Sequence, residues 1–211
     1  NSTVLQSDYS GKFQTGSLRH ELLAGVELVG DSFTNYNAAT PAGVNLGKPT
    51  TTVGTPDDGA WINEGARTLS PGRTFKARSV GVYAQELVEV APHWKLLGGL
   101  RYDYFKGRYW QAAGASTPAA ERERSDGVWS KRLGLLYQPS ETLSYHAAWG
   151  TSFNTSGDTY QYDPLGANTA PESSENFEVG ARFDWADKRF TTRVAAFYAG
   201  KKNERNRDPD S

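Results

Sequence analysis

The sequence predicts an all-β fold: an antiparallel, up-and-down transmembrane β-barrel segment of about eight strands in four hairpins. Three observations predict it. Apolar and polar or small residues alternate with period two through eight runs. Tight turns join these runs in pairs, whereas long, aromatic and glycine-rich gaps separate the pairs. No apolar stretch approaches the roughly 20 residues that a spanning helix needs, the longest being Leu22–Val26 and Ala195–Tyr198. Short turns at one end and long loops at the other are the asymmetry of a barrel in a membrane, with the long loops outside.

Thr3–Phe13 and Leu18–Gly30 form the first hairpin around Thr15-Gly16-Ser17. The second run places Arg19, Glu21 and Glu27, continued by Asp31, on one face, and Leu18, Leu22, Ala24, Val26 and Leu28 on the other. Ser79–Val90 and Trp94–Phe105 form the second hairpin around Ala91-Pro92-His93. In Trp94–Phe105 the apolar set is Trp94, Leu96, Gly98, Leu100, Tyr102 and Tyr104, with aromatics at both ends. In Ser79–Val90 two phases compete, Val80, Val82, Ala84, Glu86 and Val88 against Gly81, Tyr83, Gln85, Leu87 and Glu89.

Val128–Gln138 and Leu143–Asn154 make the third hairpin around Pro139-Ser140-Glu141. Lys131 falls on its apolar face, where a long side chain near the rim snorkels to water. Asn176–Trp185, with Phe177, Val179, Ala181, Phe183 and Trp185 on one face, pairs with Phe190–Gly200 around Ala186-Asp187-Lys188. All four connections carry turn-forming residues. The remaining ones, Asn37–Thr74, Gly107–Gly127 and Asn154–Pro171, exceed the roughly 12 to 15 residues tolerated inside a compact domain and are expected to be external loops.

Hydrophobic residues make up 37% of the chain, too few for helical spans but sufficient where only every second residue meets lipid. The 6 Trp and 11 Tyr suit the two interfaces of a membrane, although a soluble β-protein can also be aromatic-rich. Formal net charge is −1 with acids and bases interspersed, which argues against nucleic acid as a partner. Cysteine is absent, so disulfide frameworks and thiolate metal sites are excluded. The chain opens without a charged-then-apolar leader, as expected of a processed or internal piece.

Four motifs carry a more specific message. The segment Pro171-Glu172-Ser173-Ser174-Glu175-Asn176-Phe177-Glu178-Val179-Gly180-Ala181-Arg182 resembles the P-E-x-S-x-x-x-E-x-G-x-K pattern in the later barrel of TonB-dependent siderophore receptors. Ser79-Val80-Gly81-Val82-Tyr83-Ala84-Gln85-Glu86 is similar to the family's S-x-G-x-Y-A-Q-D strand, with Glu for the usual Asp. Gly98-Gly99-Leu100-Arg101-Tyr102-Asp103 follows like the family's G-L-R-Y-D, and Trp149-Gly150-Thr151-Ser152-Phe153-Asn154 resembles T-S-F-N-P, with Thr155 where proline is common. The resemblance covers roughly Gly11 to Ser211, most convincingly from Ser79.

The resemblance implies that residues 1–211 are about a third of a receptor barrel of about 22 strands, and the final Lys201–Ser211 segment resembles the start of another external loop in the catecholate-type branch. The plug domain, the TonB-contacting segment and the closing strand are expected outside this chain. It also implies a monomeric barrel in the bacterial outer membrane, surrounded by lipid, importing a ferric siderophore with energy delivered through TonB. No resident cofactor is implied, since the iron arrives already chelated.

A receptor for a bulky, often anionic Fe(III) chelate suits aromatic faces and Arg or Lys donors. The expected external loops supply Trp61, Arg67 and Arg73, then Arg108, Tyr109 and Trp110, then Tyr160 and Tyr162. The competing reading puts the aromatics in an interfacial girdle and pairs the loop arginines with Glu121, Glu123 or Asp126. Inward Arg101, Arg132, Arg182 and Arg193 are expected to pair with Glu178, Asp184 or the plug. His20, His93 and His146 lack metal-ligand spacing, so no metal site is expected. Two other classes stay open. A passive porin alternates in the same way. An outer-membrane hydrolase would use Ser144, His146 and Ser152, which share one strand face but lack an identifiable orienting group and oxyanion hole.

Overall fold

A computed structural model describes residues 1–46, 54, 64–114, 117–155 and 169–204. It contains β1 (Ser2–Thr15), β2 (Leu18–Ala39), β3 (Thr68–Ala91), β4 (Trp94–Gln111), β5 (Ala120–Ser140), β6 (Leu143–Asn154), β7 (Glu172–Trp185) and β8 (Phe190–Lys202), with one 3-10 turn at Glu64–Ala66. The strands form a single antiparallel sheet in the order β1 to β8, each paired with its neighbour in sequence. β1 and β8 are its two edges, so the sheet is an open wall and not a closed eight-strand barrel.

The tight turns lie between the expected strands. Gly16 takes φ 60° at the first position of its two-residue turn, where glycine is favoured, and His93 takes φ 70° behind Pro92 at the second position of the next. The third turn falls at Glu141 and Thr142, shifted past Pro139 by a register irregularity between Tyr137 and Ser140. Lys188 in the fourth turn pairs with Glu141 in the third at 2.7 Å, tying two hairpins together at the short-turn end.

Register assigns the faces, because partners opposite one another in adjacent strands point the same way. Val80, Val82, Ala84, Glu86 and Val88 stand opposite Tyr104, Tyr102, Leu100, Gly98 and Leu96, which settles the phase of β3 in favour of the valine set as the apolar face. That face is left exposed by the protein itself: Val82 is 47%, Leu100 47% and Leu133 54% exposed, as expected of a surface whose solvent is lipid. Aromatics bound it below and above. Trp94 stacks on Tyr137 at 4.3 Å, and Tyr145, Phe183 and Trp185 continue the row. Tyr102 meets Trp129 at 4.9 Å near the other end. From Trp94 to Tyr104 there are ten residue steps, and ~3.3 Å per residue at a tilt of ~40° gives a band of ~25 Å, the height of a barrel's lipid-facing zone.

Two polar groups on this face differ from expectation. Lys131 stands opposite Leu100 and therefore below the upper aromatics, not at the rim. Glu86 lies on the apolar face, bonded to Nδ1 of His20 at 2.8 Å, and Phe13 stacks flat on that imidazole at 4.6 Å.

The strands also run further outward than hydrophobic alternation predicts. The long connections shrink to 40–67, 112–119 and 155–171, so Arg73, Arg108, Tyr109 and Trp110 lie on β3 and β4 and not in loops. Above the membrane both faces meet polar surroundings. The apolar-polar contrast therefore fades while the hydrogen-bond ladder continues. Pro71 is accommodated because the register skips there: Asn35 pairs with Arg73 and Tyr36 with Pro71, leaving Gly72 as the bulged residue.

Candidate ligand-facing inner wall

A polar network crosses the inner face from β1 to β5. Gln6 donates to Asp8 and to the Tyr83 hydroxyl, both at 3.0 Å, and the Tyr83 hydroxyl in turn donates to Asp8. Arg101 covers the Tyr83 ring at 5.3 Å, donates through Nη2 to Glu27 at 3.0 Å, and grips Asp103 through Nε and Nη2 at 2.7–2.9 Å. Arg132 donates to Gln85 at 3.1 Å. Two glycines make room for this: a methyl on Gly81 would overlap Arg101 and Asp103, and one on Gly25 would overlap Asp8 and Tyr83. Asp103 is only 7% exposed although it lies on the wall of a sheet one strand thick.

Nearer the outer rim the same face changes character. Phe75, Ala77 and Tyr109 are the buried apolar cluster among the described residues, with Phe105 packed against it. Tyr109 donates to Gln111 at 3.3 Å and is 4% exposed. Register places Arg122 opposite Tyr109, Arg124 opposite Gly107, and exposed Arg73 opposite Gln111. Arg124 is buried against Asp126, to which its Nη2 donates at 2.8 Å, and its Nη1 donates to the carbonyl of Thr169. The connection between β6 and β7 is thereby fastened to β5 at its β7 end. The arrangement backs the inward guanidinium groups of Arg73 and Arg122 with a buried aromatic layer, and guanidinium groups suit anionic chelates.

Sequence reasoning expected Arg108, Tyr109 and Trp110 to act together, but consecutive strand residues face opposite ways. Tyr109 points inward, whereas Arg108 and Trp110 lie on the outward face. Arg108 bonds Glu123 at 2.8 Å and lies 3.4 Å from Glu121. Lys106 and then Arg108 hold the Glu123 carboxyl below the usual glutamate range, and Glu123 raises Arg108. Trp61, Tyr160 and Tyr162 lie outside the described residues. Arg67 is spent locally on Glu64 at 2.9 Å. Phe75, Arg122 and Arg124 were not among the expected residues. A signal existed in Glu121-Arg122-Glu123-Arg124, where acid and base alternate with strand period although no apolar alternation is present.

Two of the inner arginines are paired differently from expectation. Arg101 uses Glu27 and Asp103, and Arg132 uses Gln85. Arg182 does take Asp184, at 2.9 Å, with Arg193 beside it in register. Glu178 instead accepts from His146 or bonds its ring nitrogen at 2.9 Å, the imidazole lying over Gly180. Ser152 bonds Ser174 at 2.6 Å and His146 bonds Glu178, so neither directs that bond to the other. Among the described residues, no cluster of three His, Cys, Asp or Glu side chains is placed to hold a metal.

Residues 1–211 match the family described as TonB dependent receptor-like, beta-barrel. The chain is 27% identical, over 94% of its length, to the probable TonB-dependent receptor BfrD of Bordetella pertussis, and 25% identical, over 99%, to the metal-pseudopaline receptor CntO of Pseudomonas aeruginosa. It spans 29% of the length of each. The closed form of the ferric-catecholate import receptor Fiu of Escherichia coli superimposes on 99% of the chain with a TM-score of 0.80 at 19% identity, the chain covering 32% of that receptor. The open eight-strand wall, its lipid-facing band and its match along the whole chain make this protein a member of the TonB-dependent receptor family, an outer-membrane protein of which the chain forms part of the β-barrel.

Proposed function

We propose that the complete receptor imports a ferric siderophore across the outer membrane with energy supplied through TonB, and that this chain contributes barrel wall and part of the ligand-facing surface. The observation that carries the reading is the outer end of the inner wall, where Arg122 stands in register with Tyr109 and exposed Arg73 shares the face of the buried Phe75–Tyr109 pair. Trp61, Tyr160 and Tyr162 remain rim candidates for the same ligand. Arg108 and Trp110 face outward on β4, so this reading gives the inward residues the leading part. The relatives named for a metal-pseudopaline and for a ferric catecholate support a metal chelate as the class of cargo. The chain itself supplies no catalytic step and no resident cofactor in this reading.

Uptake of labelled ferric chelate by cells carrying the complete receptor tests it. Accumulation should stop when the proton-motive force is collapsed. Accumulation that continues unchanged after collapse identifies a passive pore and overturns the proposal.

A further inference from the structure

The sheet is split at its outer end. β5 and β6 pair from Ser140 and Leu143 up to Arg132 and Gly150. Above that point β6 stays with β7 as far as Asn154 and Glu172, while β5 stays with β4 as far as Ala120 and Gln111. Among the described residues no ladder joins β5 to β6 beyond Arg132. Arg124 lies eight residues past Arg132, ~26 Å along the strand, and there it reaches across the split. Its Nη1 donates to the carbonyl of Thr169, where the connection from β6 approaches β7.

This guanidinium is placed to hold the protein together and not to touch cargo. The Arg124 side chain is 7% exposed, and its Nε and Nη2 both donate to the nearly buried Asp126 carboxylate. That two-point contact neutralises a charge that would be costly to bury alone, and it fixes the direction of Nη1. The same segment is held from β8, where Asn203 donates to the carbonyl of Pro171 at 3.0 Å. At the β6 end of the connection Thr155 is buried. We propose that Arg124 is a positioning residue for chelate binding: it clasps the β6–β7 connection to the upper part of β5, and so fixes where that connection enters β7 beside the ligand-facing Arg122. A fixed entry point lowers the ordering cost that binding would otherwise bear. The role presupposes that the receptor imports a chelate, whereas the clasp itself is measurable without any cargo.

The test uses the complete receptor in lipid vesicles with two readouts. A spin label at Ala170→Cys, an exposed position next to the clasped carbonyl, reports how firmly the segment is held. Titration with the ferric complexes of a tris-catechol, a tris-hydroxamate and citrate gives affinity. Arg124→Gln should sharpen the spin-label spectrum and weaken the best-bound chelate about tenfold. In a receptor without the label, Arg124→Cys with Thr169→Cys should bind as weakly, and joining the two with a short bifunctional thiol reagent should restore affinity. Heat-dependent gel mobility reports the fold of each variant. An unchanged spectrum in Arg124→Gln overturns the clasp. A sharpened spectrum with unchanged affinity overturns the positioning role, as does an affinity that cross-linking leaves weak, the result expected if Arg124 touched the chelate itself. An unaltered receptor that binds none of the three chelates overturns the import reading and the positioning role with it, and the spectrum distinguishes that outcome from failure of the clasp.

Discussion

Asp103→Asn isolates the charge that Arg101 needs while preserving side-chain shape. In the native wall the Asp103 carboxylate accepts from both Nε and Nη2 of Arg101 at 2.7–2.9 Å and is 7% exposed, while Arg101 retains a second acid in Glu27 at 3.0 Å. An amide offers one acceptor and turns an NH2 group toward the guanidinium, so one charge-assisted bond is lost and the other becomes neutral. Each such bond contributes about 1.5–3 kcal/mol net. The Arg101 side chain is 32% exposed and keeps Glu27, so the low end applies and the variant should lose about 1.5–2 kcal/mol. A double-mutant cycle with Arg101→Gln, read from urea unfolding of the complete receptor in lipid vesicles by tryptophan fluorescence, measures the coupling directly. A coupling of about 1–2 kcal/mol is expected. If the two substitutions add to within about 0.5 kcal/mol, the network is not energetically joined and the reasoning fails.

The glycine pockets give a second prediction: Gly81→Ala should destabilise the barrel because its methyl overlaps Arg101 and Asp103, whereas Gly30→Ala, which meets nothing, should be neutral or slightly stabilising in the same unfolding assay. Leu133→Arg, in the lipid-facing band, should cost about 2–4 kcal/mol, and inward Gln85→Arg should cost far less; equal losses would mean the faces are misassigned. Arg73→Gln, at an exposed inward position, should weaken chelate binding by the complete receptor, while Trp110→Ala should leave affinity unchanged, as titration by tryptophan quenching would read. Lys188 lowers the Glu141 pKa below its ordinary 4.5, so their contact contributes above that pH and is lost as pH falls through the lowered value. Lys188→Met should therefore reduce the unfolding midpoint at neutral pH, and the difference from the unaltered receptor should vanish on strong acidification.

The eight strands and the four tight turns were legible because lipid on one face and polar surroundings on the other write period two into the chain. Trp94 to Tyr104 shows this most plainly, and it also resolved β3, whose own pattern was ambiguous until register set Val82 opposite Tyr102. Where lipid ends, the pattern ends sooner than the strand does. Tyr109 was recognised as a candidate by type but placed in a loop, and Phe75 was passed over, because neither belongs to an apolar alternation. Partner choice was the least legible feature. Glu27 and Asp103 reach Arg101 from β2 and from two residues along β4, and such meetings depend on register across several strands. Nothing in the neighbourhood of one residue encodes them.

The outward and inward sets at the top of β4 are separated by a single peptide step: Arg108 and Trp110 on one side, Tyr109 on the other. Loops in such proteins tolerate insertions and deletions freely, but this stretch is subject to a parity constraint. One residue added or removed between Tyr104 and Arg108 would send Tyr109 to the membrane side and turn Arg108 and Trp110 into the lumen, exchanging two surfaces at once. Length variation among related chains should therefore begin only after Gln111, or arrive here in steps of two.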